Sequence, residues 1–253
     1  MTEFVTAQDG VRIAYETVGE GRRSILLIHG FASSREINWR RPGWYDWLTR
    51  AGFRVIAFDN RGHGESDKPH DIAAYDEGKM AGDALAVMDA LNVKACDMMG
   101  YSMGGYLLIR LMHDHAARVN HAILGGIGGT YFGFWDKRAK LIADAMLAKD
   151  KTAVTDPLAQ EFRNFAERAG DDLQAMAACI QRPRITFTMD ELKAVATPVL
   201  FVSGENDTMS GPPERLSRLF PNSRLVIVPG RAHHRTVGDP VYKQAVTEFL
   251  GLI

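Results

Sequence analysis

Cysteine is almost missing from this sequence: 253 residues contain two, Cys96 and Cys179. They lie far apart and form no Cys-x-x-Cys pair, which argues against a disulfide framework and suits a reducing cytoplasm. Cys96 falls in an apolar segment and reads as a small core hydrophobe. Charge of one sign is missing too. Thirty Lys and Arg against 31 Asp and Glu leave a formal net charge of -1, so no bulk attraction to nucleic acid or an anionic membrane is expected. Arg40-Arg41 is too short to make a basic patch. No apolar run approaches the roughly 20 residues that span a bilayer. Met1-Thr2-Glu3-Phe4 has neither the basic nor the apolar region of a signal peptide. These absences predict a soluble, cytoplasmic protein. There is no internal repeat and no low-complexity tract.

What the sequence does contain is a set of short apolar runs bounded by turn residues. They are Ile25 to His29, Phe53 to Asp59, Ala95 to Met99, Ala122 to Gly125, Val199 to Ser203 and Leu225 to Val228. Near-continuous apolar runs of this length predict strands covered on both faces, as in a parallel sheet. Helical patterns alternate with them. Ala81, Ala84, Leu85, Met88 and Leu91 follow the spacing of one buried helix face. A second helix is predicted just after Ser102, and a last one from Pro240 to Phe249 with proline in its first turn. Strand–helix alternation predicts an α/β fold with a mostly parallel sheet flanked by helices. Phe4 to Ala7 and Val11 to Thr17 flank Asp9-Gly10, an antiparallel hairpin signal. From 131 to 192 the alternation stops and the sequence is helix-like and charge-rich. That length exceeds an ordinary crossover. The chain therefore divides into a core over 1–130, a helical insertion over 131–192 and the rest of the core over 193–253.

The chemistry centres on Gly100-Tyr101-Ser102-Met103-Gly104, a Gly-x-Ser-x-Gly motif between a predicted strand and a predicted helix. At such a turn the serine hydroxyl is lifted above the sheet edge, and glycines two residues either side admit neighbouring chain. The helix that follows adds its dipole and free amides, which favour negative charge. An oxyanion needs two donors: the amide of Met103, after the nucleophile, and one from His29-Gly30-Phe31, most simply that of Phe31. His29 itself reads as a structural residue that holds this loop. A serine hydroxyl also needs a base, and the base an orienting acid. Behind a serine turn of this kind the acid and then the histidine follow in the chain. Asp207 in Gly204-Glu205-Asn206-Asp207 and His233 in Gly230-Arg231-Ala232-His233 both follow predicted strands, where open α/β sheets build their sites. Glu205 competes with Asp207, and His234 with His233; spacing from the strand ends favours Asp207 and His233.

With these residues in place the chain resembles the α/β-hydrolase superfamily over nearly its whole length outside the insertion. Phe58-Asp59-Asn60-Arg61-Gly62-His63-Gly64-Glu65-Ser66 is similar to a structural loop of that family. The resemblance implies that the insertion is a helical cap over an apolar pocket, with Phe132, Phe134 and Trp135 as wall residues and the Trp39 to Trp47 loop under or beside it. Ser102 in place of an aspartate nucleophile disfavours dehalogenase and epoxide-hydrolase chemistry. His29-Gly30-Phe31-Ala32 lacks the glycine–proline oxyanion loops of proline iminopeptidases and carbon–carbon bond hydrolases.

Other motifs fail. Gly126-Ile127-Gly128-Gly129-Thr130-Tyr131 has tyrosine where a dinucleotide fingerprint needs its third glycine. His113 and His115 with Asp114 lack a third ligand. No metal and no cofactor is expected. The sequence predicts a serine hydrolase that cleaves a small carboxylic ester through an acyl-enzyme, with no nucleic-acid or membrane partner. Lactone or carbon–carbon bond hydrolysis, cofactor-free perhydrolysis and a non-catalytic binding protein are the alternatives. Oligomeric state is left open.

Overall fold

The computed structural model describes residues 1–133 and 135–252, the side chains of Trp135 and Asp136 excepted. The strands are β1 (Glu3–Thr6), β2 (Arg12–Val18), β3 (Arg23–Ile28), β4 (Phe53–Phe58), β5 (Cys96–Tyr101), β6 (Val119–Gly125), β7 (Val199–Gly204) and β8 (Ser223–Val228). They form one sheet in the order β1-β2-β4-β3-β5-β6-β7-β8. β1 with β2 and β2 with β4 are antiparallel, and every pairing from β4 to β8 is parallel. The helices are α1 (Trp44–Arg50), α2 (Glu77–Ala90), α3 (Met103–Asp114), α4 (Trp135–Leu147), α5 (Pro157–Ala169), α6 (Leu173–Ile180), α7 (Met189–Lys193), α8 (Glu214–Ser217), α9 (His233–Thr236) and α10 (Pro240–Phe249).

The apolar runs are continuous because each strand feeds two cores. Side chains alternate across a strand, and here Leu26, Ile28, Ile56, Phe58, Leu124 and Phe201 enter the core shared with α2 and α3. Ile25, Leu27, Val55, Ala57, Ile123 and Leu200 enter a second core on the other face, closed by α1 and α10. β8 departs from the expectation of burial on both faces. It is an edge strand with Ile227 exposed, because nothing pairs beyond it among the described residues.

The segment Trp39 to Trp47 also sits elsewhere than expected. Trp39 and Trp44 belong to the second core, and the Trp44 indole donates to the Val237 carbonyl at 2.6 Å. Trp47 reaches the Thr247 hydroxyl at 3.1 Å. The face closed by α1 and α10 needs large apolar cover, and these indoles supply it beneath the sheet. Between β6 and β7 the chain runs through α4 to α7. Their apolar faces, Ile142, Phe162, Ala166 and Met176 among them, join the first core.

A topological switch positions the site. From β3 the chain passes to β4 on one side, then to β5 on the other. The carboxyl ends of β3 and β5 thus open side by side at the crevice where α/β sheets bind ligands.

Candidate active site

The turn from β5 into α3 holds Ser102 at φ 51° and ψ -114°, a left-handed conformation that L-residues rarely adopt. Its glycine neighbours are sterically required. A Cβ on Gly104 would lie 2.0 Å from the Ile28 carbonyl oxygen, and one on Gly100 2.3 Å from the Gly104 oxygen. Met103 opens α3, so its amide is among the first-turn donors with no acceptor inside the helix.

The loop after β3 is fixed by buried neutral histidines. His29 Nδ1 donates to the Gly30 carbonyl at 2.7 Å, and Nε2 accepts the Asn60 amide at 2.9 Å. Burial, with Arg35 adding to it, pushes His29 down to about 4 despite that carbonyl. His63 Nε2 accepts the Ala32 amide at 3.1 Å, and burial followed by the neighbouring His29 drives its pKa well below the ordinary value. Asn38 Oδ1 takes the Gly30 amide at 3.1 Å. The amides on either side of Phe31 are therefore engaged, while no acceptor among the described residues takes that of Phe31.

Asp207 follows β7, and His233 opens α9 after β8. His233 Nδ1 donates to Asp207 Oδ2 at 2.8 Å, and both residues are buried. Asp207 Oδ1 accepts the amides of Met209 and Ser210 at 3.1 and 2.9 Å. Burial pushes the Asp207 carboxyl up, but the His233 hydrogen bond, its charge and the Ser210 bonds together outweigh it and hold the pKa below the usual carboxylate value. The Tyr101 hydroxyl donates to the His233 carbonyl, so the residue before Ser102 anchors the loop that carries the imidazole. Glu205 turns away and accepts the Gly230 amide at 2.7 Å. His234 borders the larger cavity but points its ring towards α5. Its ring stacks on Phe165 at 5.4 Å, and Nε2 lies 3.3 Å from Glu161.

Two adjoining cavities, of about 110 and 20 Å³, meet at Ser102, Phe31, Phe162 and His233. No hydrogen bond joins Ser102 to His233 among the described residues; such bonds often tighten only once substrate is bound. A hydroxyl on a strained turn, an imidazole bordering the same cavities and a carboxylate hydrogen-bonded behind that imidazole are the kinds of group with which a serine nucleophile can be activated.

The expected pocket walls fare differently. Phe132 lines neither cavity; its ring packs against Tyr131 and lies 4.5 Å under the Arg215 guanidinium. That exposed-side cation stack claims a ring that adjacency to the insertion had suggested for the pocket. Phe134 and the Trp135 side chain lie outside the described residues. The walls instead come from Phe162 and Phe165 of α5, with Ile180 and Arg184 bordering the smaller cavity. An apolar stripe at Ala159, Phe162 and Ala166 in an otherwise charged helix was the available signal. Arg184 packs over the Tyr106 ring at 4.9 Å, and burial followed by Arg182 lowers its pKa to about 10, which leaves it a cation at neutral pH.

Among the described residues no helix is long and apolar enough to cross a membrane. The chain is 29% identical to a non-heme haloperoxidase of Rhodococcus erythropolis, covering 91% of this chain and 92% of that protein. A hydrolase from Pseudomonas aeruginosa superposes with a TM-score of 0.81 at 24% identity, over 99% of this chain and 98% of the other. A thermophilic esterase from Thermogutta terrifontis gives 0.77 at 25% identity, over 99% and 98%. Residues 23–167 match the family described as the alpha/beta hydrolase fold. On that match, which spans more than half of its residues, the chain belongs to the α/β-hydrolase fold family.

Proposed function

We propose that the protein is a serine hydrolase that cleaves a small carboxylic ester through an acyl-enzyme. The observation that carries this reading is the Asp207–His233 hydrogen bond of 2.8 Å behind a cavity that His233 and Ser102 line together. Ser102 Oγ attacks the ester carbonyl and its proton passes to His233 Nε2, while Asp207 orients the ring and stabilises its charge. The amides of Phe31 and Met103 hold the tetrahedral oxyanion. Collapse expels the alcohol, which takes the proton from His233. Water, deprotonated by the same imidazole, then attacks the acyl-serine and releases the acid and free Ser102. The segment 131–192 acts as a cap, with α5 supplying the apolar wall. Similarity to an esterase over almost the whole chain supports the ester reading. Two buried free cysteines fit a cytoplasmic location.

A lactone, as a cyclic ester, follows the same steps. A second reading is perhydrolysis, in which hydrogen peroxide replaces water in the second half and the acyl group leaves as a peracid. The likeness to a haloperoxidase favours it. A binding protein of the same fold would have little use for a carboxylate-oriented imidazole beside a strained serine.

The test is labelling by a fluorophosphonate together with turnover of p-nitrophenyl acetate. Wild type should label and turn over. Ser102→Ala should do neither, with kcat reduced on the order of a millionfold by analogy with a protease triad. Retention of more than about a tenth of the rate would overturn the assignment of the nucleophile.

A further inference from the structure

We infer that Asn38 supplies a hydrogen-bond donor to substrate, and that the enzyme prefers esters carrying an acceptor oxygen in the part that fills the larger cavity. The inference rests on the ester-hydrolase reading above. Asn38 lies in a single π-helical turn, Glu36–Arg40, after β3; such turns recur at functional sites. The turn is clamped to the core by Arg35, which pairs with Asp59, Glu65 and Glu16.

Asn38 is only 6% exposed and lines the larger cavity with Gly30 and Ser102. Its orientation is decided chemically. The Gly30 amide can only donate, so the atom it meets is the carboxamide oxygen, and the NH2 group is the other end. That nitrogen is buried and has no acceptor among the described residues. The amide lies close to the reaction centre. A Cβ built on Gly30 would be 3.6 Å from Asn38 Oδ1 and 3.5 Å from Ser102 Cβ.

Another buried nitrogen without an acceptor, Trp39 Nε1, belongs to the core on the opposite face of the sheet and cannot serve a ligand. The Asn38 nitrogen differs because its residue lines the cavity that Ser102 also lines. A site that keeps a polar group unmet until substrate arrives discriminates against analogues lacking the partner. The complementary group is an ether, carbonyl or hydroxyl oxygen, since an NH2 donor gains nothing from an alkyl chain. Asn38 thus has two tasks: its oxygen positions the loop that carries the Phe31 amide, and its nitrogen selects substrate.

Matched ester pairs separate these tasks. On the acyl side, p-nitrophenyl methoxyacetate is compared with p-nitrophenyl butyrate; on the alcohol side, 2-methoxyethyl acetate with butyl acetate. Each kcat/KM is divided by the rate of alkaline hydrolysis, which removes intrinsic reactivity. In one pair the oxygen-bearing ester should be favoured about tenfold, the effect of one neutral hydrogen bond. Asn38→Leu should bring that ratio to near one, whereas loosening the loop alone would slow both members alike. Asn38→Asp keeps an acceptor for Gly30 but no donor, and should also abolish the preference. A wild-type ratio within about twofold of one in both pairs overturns the inference, and that measurement needs no variant. So does a preference that survives in Asn38→Leu. If no ester is turned over and Ser102 does not label, the ester reading fails separately. Binding of 2-methoxyethyl acetate and butyl acetate to Ser102→Ala, followed by NMR titration, then decides the inference, and equal affinities overturn it.

Discussion

At Asp207 burial and hydrogen bonding pull in opposite directions, and the bonds from His233 and Ser210 prevail. The carboxylate therefore stays ionised at neutral pH and keeps the His233 proton on Nδ1, leaving Nε2 as the basic nitrogen. Glu205 spends its carboxylate on the Gly230 amide instead. Asp207→Asn should reduce kcat/KM for p-nitrophenyl acetate by about ten-thousandfold, as an asparagine at the acid position stabilises the wrong tautomer. Glu205→Gln should cost no more than a few fold; if it proved the more damaging change, the acid role would pass to Glu205. Spacing from a strand end is the sequence signal that favours Asp207 over Glu205. No such local signal existed for Phe132 or Asn38. Whether a ring turns to a cavity or to Arg215, and which end of an amide is left over, depends on partners distant in the chain.

Elements were legible where their chemistry is local. The Gly-x-Ser-x-Gly turn, the hairpin at Asp9-Gly10 and the last helix all stand where their residues place them. The exposure of β8 was not legible, because the same apolar run suits an edge or a centre. The turn between α5 and α6 carries a testable liability. Burial pushes the Asp171 carboxyl up to about 7, against the pull of Lys68, and Asp59 adds to the rise. Its Oδ2 is buried without a hydrogen-bond partner among the described residues. The folded chain thus holds this proton up to about 7, whereas the unfolded chain releases it near the ordinary aspartate value of 3.8. Between those values the folded state binds more protons, so stability falls as pH rises. Asp171→Asn removes the ionisation. It should raise the melting temperature by a few degrees at about pH 8, with the gain fading towards about pH 4. A shift that is the same at both ends, or missing at the higher pH, would show that this carboxyl is not the cause.

At the scale of the whole molecule, the two cores and the parallel pairing from β4 to β8 set the site above the switch between β3 and β5. The sequence announced a mostly parallel sheet, but the spatial order of its strands is a matter of pairing between distant segments, which no local pattern encodes. That order also has a consequence in time. Ser102 and the Phe31 loop follow strands made well before β7 and α9, which bring the carboxylate and the imidazole. Domains fold as they emerge from the ribosome, amino end first. A nascent chain halted before residue 230 should therefore fail to react with a fluorophosphonate in a translation extract, even where its serine turn has formed. A chain extended past α9 and released should gain labelling, so that on the proposed reading the serine stays inert until its imidazole has been made.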